Sequence, residues 1–319
     1  MKRLVSVVIC AFTESRWNDL VRARASLACQ SMDPAEVIIV IDYNPRLLER
    51  AREQFSDAVV VANTEAKGLS GARNSGVARA SGEIVLFLDD DAVADTQWVR
   101  YMTEPFIHSD VVGVGGMALP KWDAGQPPSW FPEEFLWVVG CSYVGLPADG
   151  DYIRNPIGSS MGFRRASIVD SGGFSSGLGR IGAKPVGGEE TELSMRMRQH
   201  SANHRVVLCR KAVVNHRVTL ERHRLAYFMR RCYWEGVSKS VIVRRQSARI
   251  NEHAESLHTE KSYVLTVLPA GVSQGIGTAL RNRSLRPLGM SLAIVGGLLA
   301  TCVGYARGSL VPEPVRNVA

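Results

Sequence analysis

Three segments of the chain carry residues whose types and spacing could do chemistry. The first is IVLFLDDD, Ile84 to Asp91. An apolar strand ending in three consecutive carboxylates, Asp89, Asp90 and Asp91, is costly unless a cation or a hydrogen-bonded ligand neutralises them, because like charges at contact distance repel. Side chains alternate along an extended chain, so Asp89 and Asp91 face the same way. That arrangement suits a divalent metal that keeps waters and bridges to substrate phosphates. The bland reading is a solvated turn that ends a strand with acids.

The second segment is GLSGARNSG, Gly68 to Gly76. A glycine-rich turn entering a helix offers free backbone N–H groups, and Arg73 adds a planar cationic fork, a combination suited to a pyrophosphate or a nucleobase edge. It is neither a Walker loop nor a GxGxxG fingerprint after a first strand, which argues against P-loop ATPases and nicotinamide dehydrogenases. The third is GGEETE, Gly187 to Glu192. Glu189 and Glu190 stand at the start of an expected helix, where the macrodipole favours their charge and the preceding glycines let a ligand approach. One of the two could take a proton from a hydroxyl. Ordinary enrichment of acids at a helix N-terminus is the competing reading.

These residues need elements to position them. LVSVVICAF after a basic pair superficially copies a signal peptide, but the run is short and Thr13, Glu14, Ser15 and Arg16 interrupt it, so it reads as a buried first strand. Further β-branched runs occur at Val37–Ile41, Val59–Ala62, Ile84–Leu88 and Val111–Val114. Helix-compatible stretches lie between them at Arg16–Gln30, Pro45–Phe55 and Leu69–Ala80. Alternating βαβα with continuous apolar strands predicts an α/β fold with a mostly parallel sheet flanked by helices. After about residue 115 the alternation stops. Pro120 to Pro147 is rich in Trp, Pro and Phe, read as a packed loop or an acceptor-site wall. Gly172 to Gly188 holds seven glycines and reads as a mobile loop able to close over a ligand.

The 319 residues carry 38 Lys+Arg against 31 Asp+Glu, with 45% hydrophobic and 22% charged residues, which excludes disordered and fibrous classes. Six cysteines are scattered singly, so neither a disulfide framework nor a cysteine zinc site is expected. The basic excess is local, lying in 217–254. No RNP or zinc-finger pattern accompanies it, and nucleic acid is not an expected partner. Residues 219–250 look helical, with Ala226, Met229, Tyr233, Val237 and Val241 on one stripe. Tyr263–Leu280 and Leu288–Tyr305 are apolar, uncharged and joined by a basic link, so two full spans would place that link against the positive-inside tendency. A membrane-lying or shallowly inserted helical tail is expected, with a buried hairpin as the alternative.

In this order and spacing the segments resemble the family 2 glycosyltransferases, over roughly residues 4 to 216. SVVICAFTES is similar to the family's opening strand and polar turn, VIIVIDYNP to its second strand, GLSGARNSGV to its loop and helix, FLDDDA to its metal motif and GGEETEL to its acceptor-side acidic pair. The resemblance implies the GT-A nucleotide-sugar-binding fold in residues 1–218, followed by a membrane-associated helical region in 219–319. It implies that Thr13 and Glu14 border the nucleotide, Asp42 accepts from the uracil ring, and Arg73 lies by the base or diphosphate. It further implies that Asp89 and Asp90 lie at the donor site, Asp89 contacting the ribose or a metal-bound water, and that Asp91 ligates a divalent metal, Mn2+ or Mg2+. His216 falls where some related enzymes supply a histidine to the metal or diphosphate. Glu190 is then the expected general base and Glu189 an acceptor contact.

The implied reaction is inverting transfer from a nucleotide diphosphate sugar, with a UDP-sugar as the expected donor. The acceptor would be a hydroxyl of a lipid-linked, polyprenyl-type glycan or a nascent polysaccharide, at the cytoplasmic face of the membrane. Two other classes compete. A nucleotidyltransferase should carry a glycine-rich, Arg-containing loop after the first strand, where this chain reads CAFTESRW; a non-catalytic binding protein has no need of Asp89, Asp91 and Glu190 together.

Overall fold

The computed structural model describes residues 4–176, 187–201, 203–247, 261–283 and 285–310. Ten residues of the glycine-rich stretch expected to close over a ligand, 177–186, lie outside them. The first half alternates as the sequence predicts. Strands β1 (Val5–Ala11), β2 (Glu36–Ile41), β3 (Val59–Ala62) and β4 (Ile84–Asp89) are linked through α1 (Trp17–Ala28), α2 (Pro45–Gln54) and α3 (Leu69–Arg79). β1 pairs in parallel with β2 on one side and β4 on the other, and β2 with β3. Both faces of this sheet are covered, which is why Val7, Ile9, Ile38, Ile39, Val85 and Leu86 are all fully buried. Each such side chain contributes about 1.5–3 kcal/mol relative to exposure. α2 begins where Asn44 Oδ1 accepts from the Leu47 N–H at 3.0 Å, with Pro45 at the first turn.

The second half completes a mixed eight-stranded sheet. Its further strands are β5 (Ala92–Ala94), β6 (Val111–Trp122), β7 (Ser160–Arg164) and β8 (Arg205–Val218), and the strand order is β3-β2-β1-β4-β7-β6-β8-β5. β7 runs antiparallel to both β4 and β6, and β8 pairs in parallel with β6 and antiparallel with β5. Short helices α4 (Trp98–Thr103) and α5 (Arg165–Asp170) and the longer α6 (Glu189–His200) cover this half. The chain direction reverses beside β4, which leaves a crevice at the carboxyl ends of β1, β2 and β4.

β6 runs on to Trp122, well past the Val111–Val114 core visible in the sequence, because its second half pairs Met117–Trp122 with Val213–Val218 across a bulge. The aromatic stretch that follows is a packing layer. Phe131, Phe135, Val138 and Val139 join Trp122 and Val218 in one core with Phe228, Cys232, Leu268 and Ile294 from the C-terminal helices. Those helices are α7 (Leu225–Ser247), α8 (Leu268–Asn282) and α9 (Arg286–Leu310). On α7 the deepest residues are Phe228, Cys232, Ser238, Ser240 and Ile242, not the expected apolar stripe. Small residues are buried there because neighbouring backbone comes close on more than one side.

Tyr263–Asn282 and Pro287–Leu310, with mean hydropathy 1.2 and 1.8, are long and apolar enough to cross a membrane by length and composition. One side of each rests on the aromatic core. The other exposes Leu265, Ile276 and Leu280 on the first, and Leu292, Val295, Leu299, Val303 and Leu310 on the second.

Candidate active site

The site is built on the carboxyl ends of the parallel strands. Thr13 and Glu14 follow β1 in a 3-10 turn, Glu14–Arg16, that Thr13 Oγ1 caps by accepting from the Ser15 N–H at 3.3 Å. That turn swings Arg16 toward β4, where its Nη1 meets Asp90 Oδ1 at 2.9 Å and Asp91 Oδ2 at 3.2 Å. Asp42 follows β2. Its Oδ1 accepts from Asn63 Nδ2 at 2.7 Å, and its Oδ2 from the Gly68 N–H at 3.1 Å, so it fastens the turn that enters α3.

Asp91 is the most heavily compensated of the three acids. The pairing of β5 with β8 sets Ala92 opposite His216 and so brings the histidine beside the preceding residue. His216 Nε2 lies 3.1 Å from Asp91 Oδ1, and Arg222 Nη2 lies 3.3 Å from Oδ2. Burial alone would favour the neutral acid, but His216, Arg16 and Arg222 outweigh it and hold Asp91 well below the usual carboxylate range. Burial likewise opposes a charge on His216, and the Asp91 carboxylate overcomes this, pushing the imidazole up to about 10. Asp90 is raised above its ordinary value by burial and by the charges of Asp91 and Asp89, against the pull of Arg16. Its Oδ2 is buried with no hydrogen-bond partner among the described residues.

Asp89, Asp91 and His216 each offer a ligand atom within 4.8 Å of one another. Two carboxylates and an imidazole on a strand end fit a first-row divalent ion, and the nitrogen ligand suits Mn2+ better than the all-oxygen preference of Mg2+. Loading such an ion would require His216 to lose its proton. The ring is already oriented: Nδ1 lies 3.8 Å from Cys141 Sγ. Gly140, at φ +82°, stands so close that a Cβ there would lie 3.3 Å from His216 Cε1.

Arg73 joins the two acidic segments. It is only 2% exposed. Nη1 meets Glu189 Oε1 at 2.8 Å, Nη2 lies 3.7 Å from Asp89 Oδ1, and Nη2 also donates to the Gly158 carbonyl at 3.4 Å. The guanidinium packs over the rings of Phe174 and Phe87, at 5.4 and 5.9 Å from their centroids. Burial works against its charge, and Glu189, Asp89 and Glu190 more than restore it. A residue expected beside the base or diphosphate is thus turned inward onto the acids.

Glu189 and Glu190 open α6 after Gly188, whose φ of +93° is a conformation that a side chain would strain. Adjacent in sequence, the two differ in surroundings. Glu189 is buried on Arg73, with Oε2 left unpaired among the described residues. The half-buried Glu190 is pushed up to about 8, first by desolvation and then by the charge of Glu189, with Arg73 pulling the other way.

The structure therefore brings Asp89, Asp90, Asp91, His216, Arg73 and Glu189 into one network of contacts with Arg16 and Arg222, with Glu190 next to Glu189 and with Thr13, Glu14 and Asp42 following the carboxyl ends of β1 and β2. Sequence reasoning missed Arg16 and Arg222. The one signal for them was the need of three adjacent acids for cations, and nothing local says which arginines answer it.

A mixed α/β sheet with an acidic, metal-suited strand end facing a second acidic pair is the arrangement of a GT-A glycosyltransferase. Residues 6–171 match the family described as Glycosyl transferase family 2, and the chain belongs to that family. Along its whole length it is similar to a glucosyl-dolichyl phosphate glucuronosyltransferase of Haloferax volcanii, 29% identical over 317 residues and covering 98% of each chain. A shorter similarity, 31% over 144 residues, covers 43% of this chain and 23% of a probable N-acetylgalactosaminyltransferase 7 of Caenorhabditis elegans. Among solved structures, the mannosyltransferase PcManGT of Pyrobaculum calidifontis, in complex with GDP-Man and Mn2+, superposes with TM-score 0.62 at 16% identity, covering 96% of this chain and 88% of that one. GalNAc-T7 with UDP, GalNAc and Mn2+ gives TM-score 0.54 at 17% identity, covering 82% and 53%.

Proposed function

We propose that this glycosyltransferase moves a sugar from a nucleotide diphosphate sugar, a UDP-sugar first among the candidates, to a hydroxyl of a polyprenyl-phosphate-linked glycan, with inversion at the anomeric carbon. The observation that carries the reading is the Arg73 guanidinium, which touches Asp89 and Glu189 at once and so joins a donor-side and an acceptor-side acid in one site. The name of the Haloferax volcanii relative, which covers the full chain, supports a lipid-linked acceptor and makes a glucuronosyl donor the first to test.

In this reading Asp91, Asp89 and His216 hold a divalent ion, which supplies positive charge to a departing diphosphate. Thr13, Glu14 and Asp42 line the nucleotide, and Arg73 keeps Asp89 and Glu189 apart by a fixed fork. Glu190 has no cation of its own in hydrogen-bonding reach among the described residues, which leaves it the better proton acceptor of the pair. Its carboxylate takes the acceptor hydroxyl proton as that oxygen attacks the anomeric carbon from the side opposite the diphosphate. One bond forms as one breaks, so a single displacement inverts the centre. Residues 1–218 would form the catalytic unit. Residues 219–319 would seat it on the cytoplasmic face of the membrane, where the exposed leucines and valines of α8 and α9 meet lipid and a lipid-linked acceptor is within reach.

Thermal-shift measurements with UDP-, GDP- and dTDP-sugars, with and without Mn2+, test the reading. One nucleotide class should stabilise the protein only with metal, by about 2.7 kcal/mol at a hundredfold excess over Kd, and Asp91→Asn should remove the effect. Stabilisation by no nucleotide sugar under any metal condition would overturn it.

A further inference from the structure

Helix α7 stands between the C-terminal helix and the acidic pair, and it uses opposite faces to do so. Toward α6 it presents Glu235, Ser238 and Ile242. Ser238 Oγ accepts from the Gly187 N–H at 3.2 Å while donating to its own helix at the Trp234 carbonyl. Ile242 Cδ1 lies 2.6 Å from where a Cβ on Gly188 would be. Ser238 and Ile242 are 1% and 6% exposed, so both contacts are interior ones. Gly187 and Gly188 immediately precede Glu189 and Glu190, and Gly188 caps the helix that carries them.

The other face of α7 is pressed onto α9 at backbone distance. A Cβ on Gly236 would lie 2.0 Å from the Thr301 carbonyl oxygen, and one on Gly304 would lie 1.9 Å from the Tyr233 carbonyl oxygen. A Cβ on Gly308 would lie 2.2 Å from Ser240 Oγ. Residues 235, 238 and 242 cluster on one side of a 3.6-residue helix, and 233, 236, 237 and 240 on the side roughly opposite. With glycines in contact and no side chains between, α7 has little room to move relative to α9.

We propose that Ser238 and Ile242 are positioning residues for the catalytic pair: α9 fixes α7, and α7 fixes the Gly187–Gly188 turn that starts the helix carrying Glu189 and Glu190. The proposal rests on the glycosyltransferase reading of that pair. It accounts for the glycine at 188: the turn takes a left-handed conformation there, φ +93°, with the Ile242 methyl group packed where a side chain would start, while the preceding Gly187 N–H donates to Ser238.

The test uses the full-length chain and Ile242→Ala, Ser238→Ala and Ile242→Val. Three quantities are read for each: Mn2+-dependent binding of UDP, kcat and donor KM for the donor selected by the nucleotide-sugar panel, and hydrogen exchange of the amides of 189–193. Ile242→Ala and Ser238→Ala should lower kcat at least tenfold, leave donor KM and UDP affinity within about twofold, and speed exchange at 189–193 without changing exchange across α3. Ile242→Val, which keeps most of the packing volume, should recover at least half of the lost kcat. Wild-type kcat in both alanine variants overturns the proposal, as does an equal loss of UDP binding and kcat. If Ile242→Ala does not fold, Ser238→Ala decides alone. Because Glu190→Gln is assayed separately, a variant that turns over like wild type there would sink the base assignment while the exchange data still report on the α7 contact.

Discussion

Replacing Glu190 by glutamine should stabilise the metal-free protein at alkaline pH and leave it nearly unchanged near pH 5. The carboxyl is held up to about 8, against an ordinary 4.5, by desolvation and then by the charge of Glu189. Between those two values the folded protein keeps a proton that the unfolded chain has lost. The contribution of Glu190 to stability is thus fully present below about pH 4.5 and disappears as pH rises through about 8. At 1.36 kcal/mol per unit the ceiling is about 5 kcal/mol. Glu190 is half-buried, so water reduces this, and we expect about 2–3 kcal/mol. For a chain of this size that corresponds to about 3–4 °C in Tm. Wild type and Glu190→Gln are compared by scanning fluorimetry in chelator at about pH 5 and pH 9.5, where the difference between the two proteins should open only at the higher pH. Equal differences at both pH values would refute the reasoning. The same carboxyl must be ionised to take a proton, so transfer should rise with pH through the same range. Glu190→Gln should lose transfer by about 10²–10⁴ while still binding donor.

Two further outcomes follow from the geometry. Arg73→Met leaves Glu189 buried without its cation and should cost about 3–5 kcal/mol, read as a drop in Tm; Arg73→Lys should not restore it, since one ammonium cannot span two acids as the fork does. The intact protein should co-sediment with anionic vesicles, and Leu292→Asp with Leu299→Asp, two exposed positions on α9, should abolish this without lowering Tm.

Much of the site was legible because its signals are local. A buried strand that ends in three acids and a glycine turn opening α3 each declare themselves within ten residues, and strand order then brings Thr13, Asp42 and Asp89 to one edge without further information. What was not legible depends on contacts between distant segments. Arg222 belongs to a run of arginines that charge counting reads as a basic surface, yet it is buried on Asp91, and Arg217 in the same run bridges Asp19 and Asp123. Part of the apparent excess is therefore internal compensation. The aromatic stretch after Trp122 gave no periodicity because its partners are three helices that come later in the chain. The burial of Gly236, Ser238 and Ser240 on α7 runs against hydrophobic patterning altogether, since close backbone approach selects for size instead of hydropathy.

The difference between Glu189 and Glu190 is the clearest case of structure deciding what composition leaves open. Two neighbouring glutamates on the first turn of one helix share the same dipole and the same glycine approach, so helix electrostatics cannot separate them. Arg73 does. By binding Glu189 at 2.8 Å it commits that carboxylate to a permanent ion pair. It leaves Glu190 to bear both desolvation and the residual repulsion of its neighbour, and both push that carboxyl up. A carboxyl raised toward neutral pH is a stronger base when ionised than an ordinary one, and that supports assigning proton transfer to Glu190. The same ion pair continues to Asp89, so any substitution that moves Arg73 should disturb donor and acceptor chemistry together, whereas Glu190→Gln should disturb the second alone.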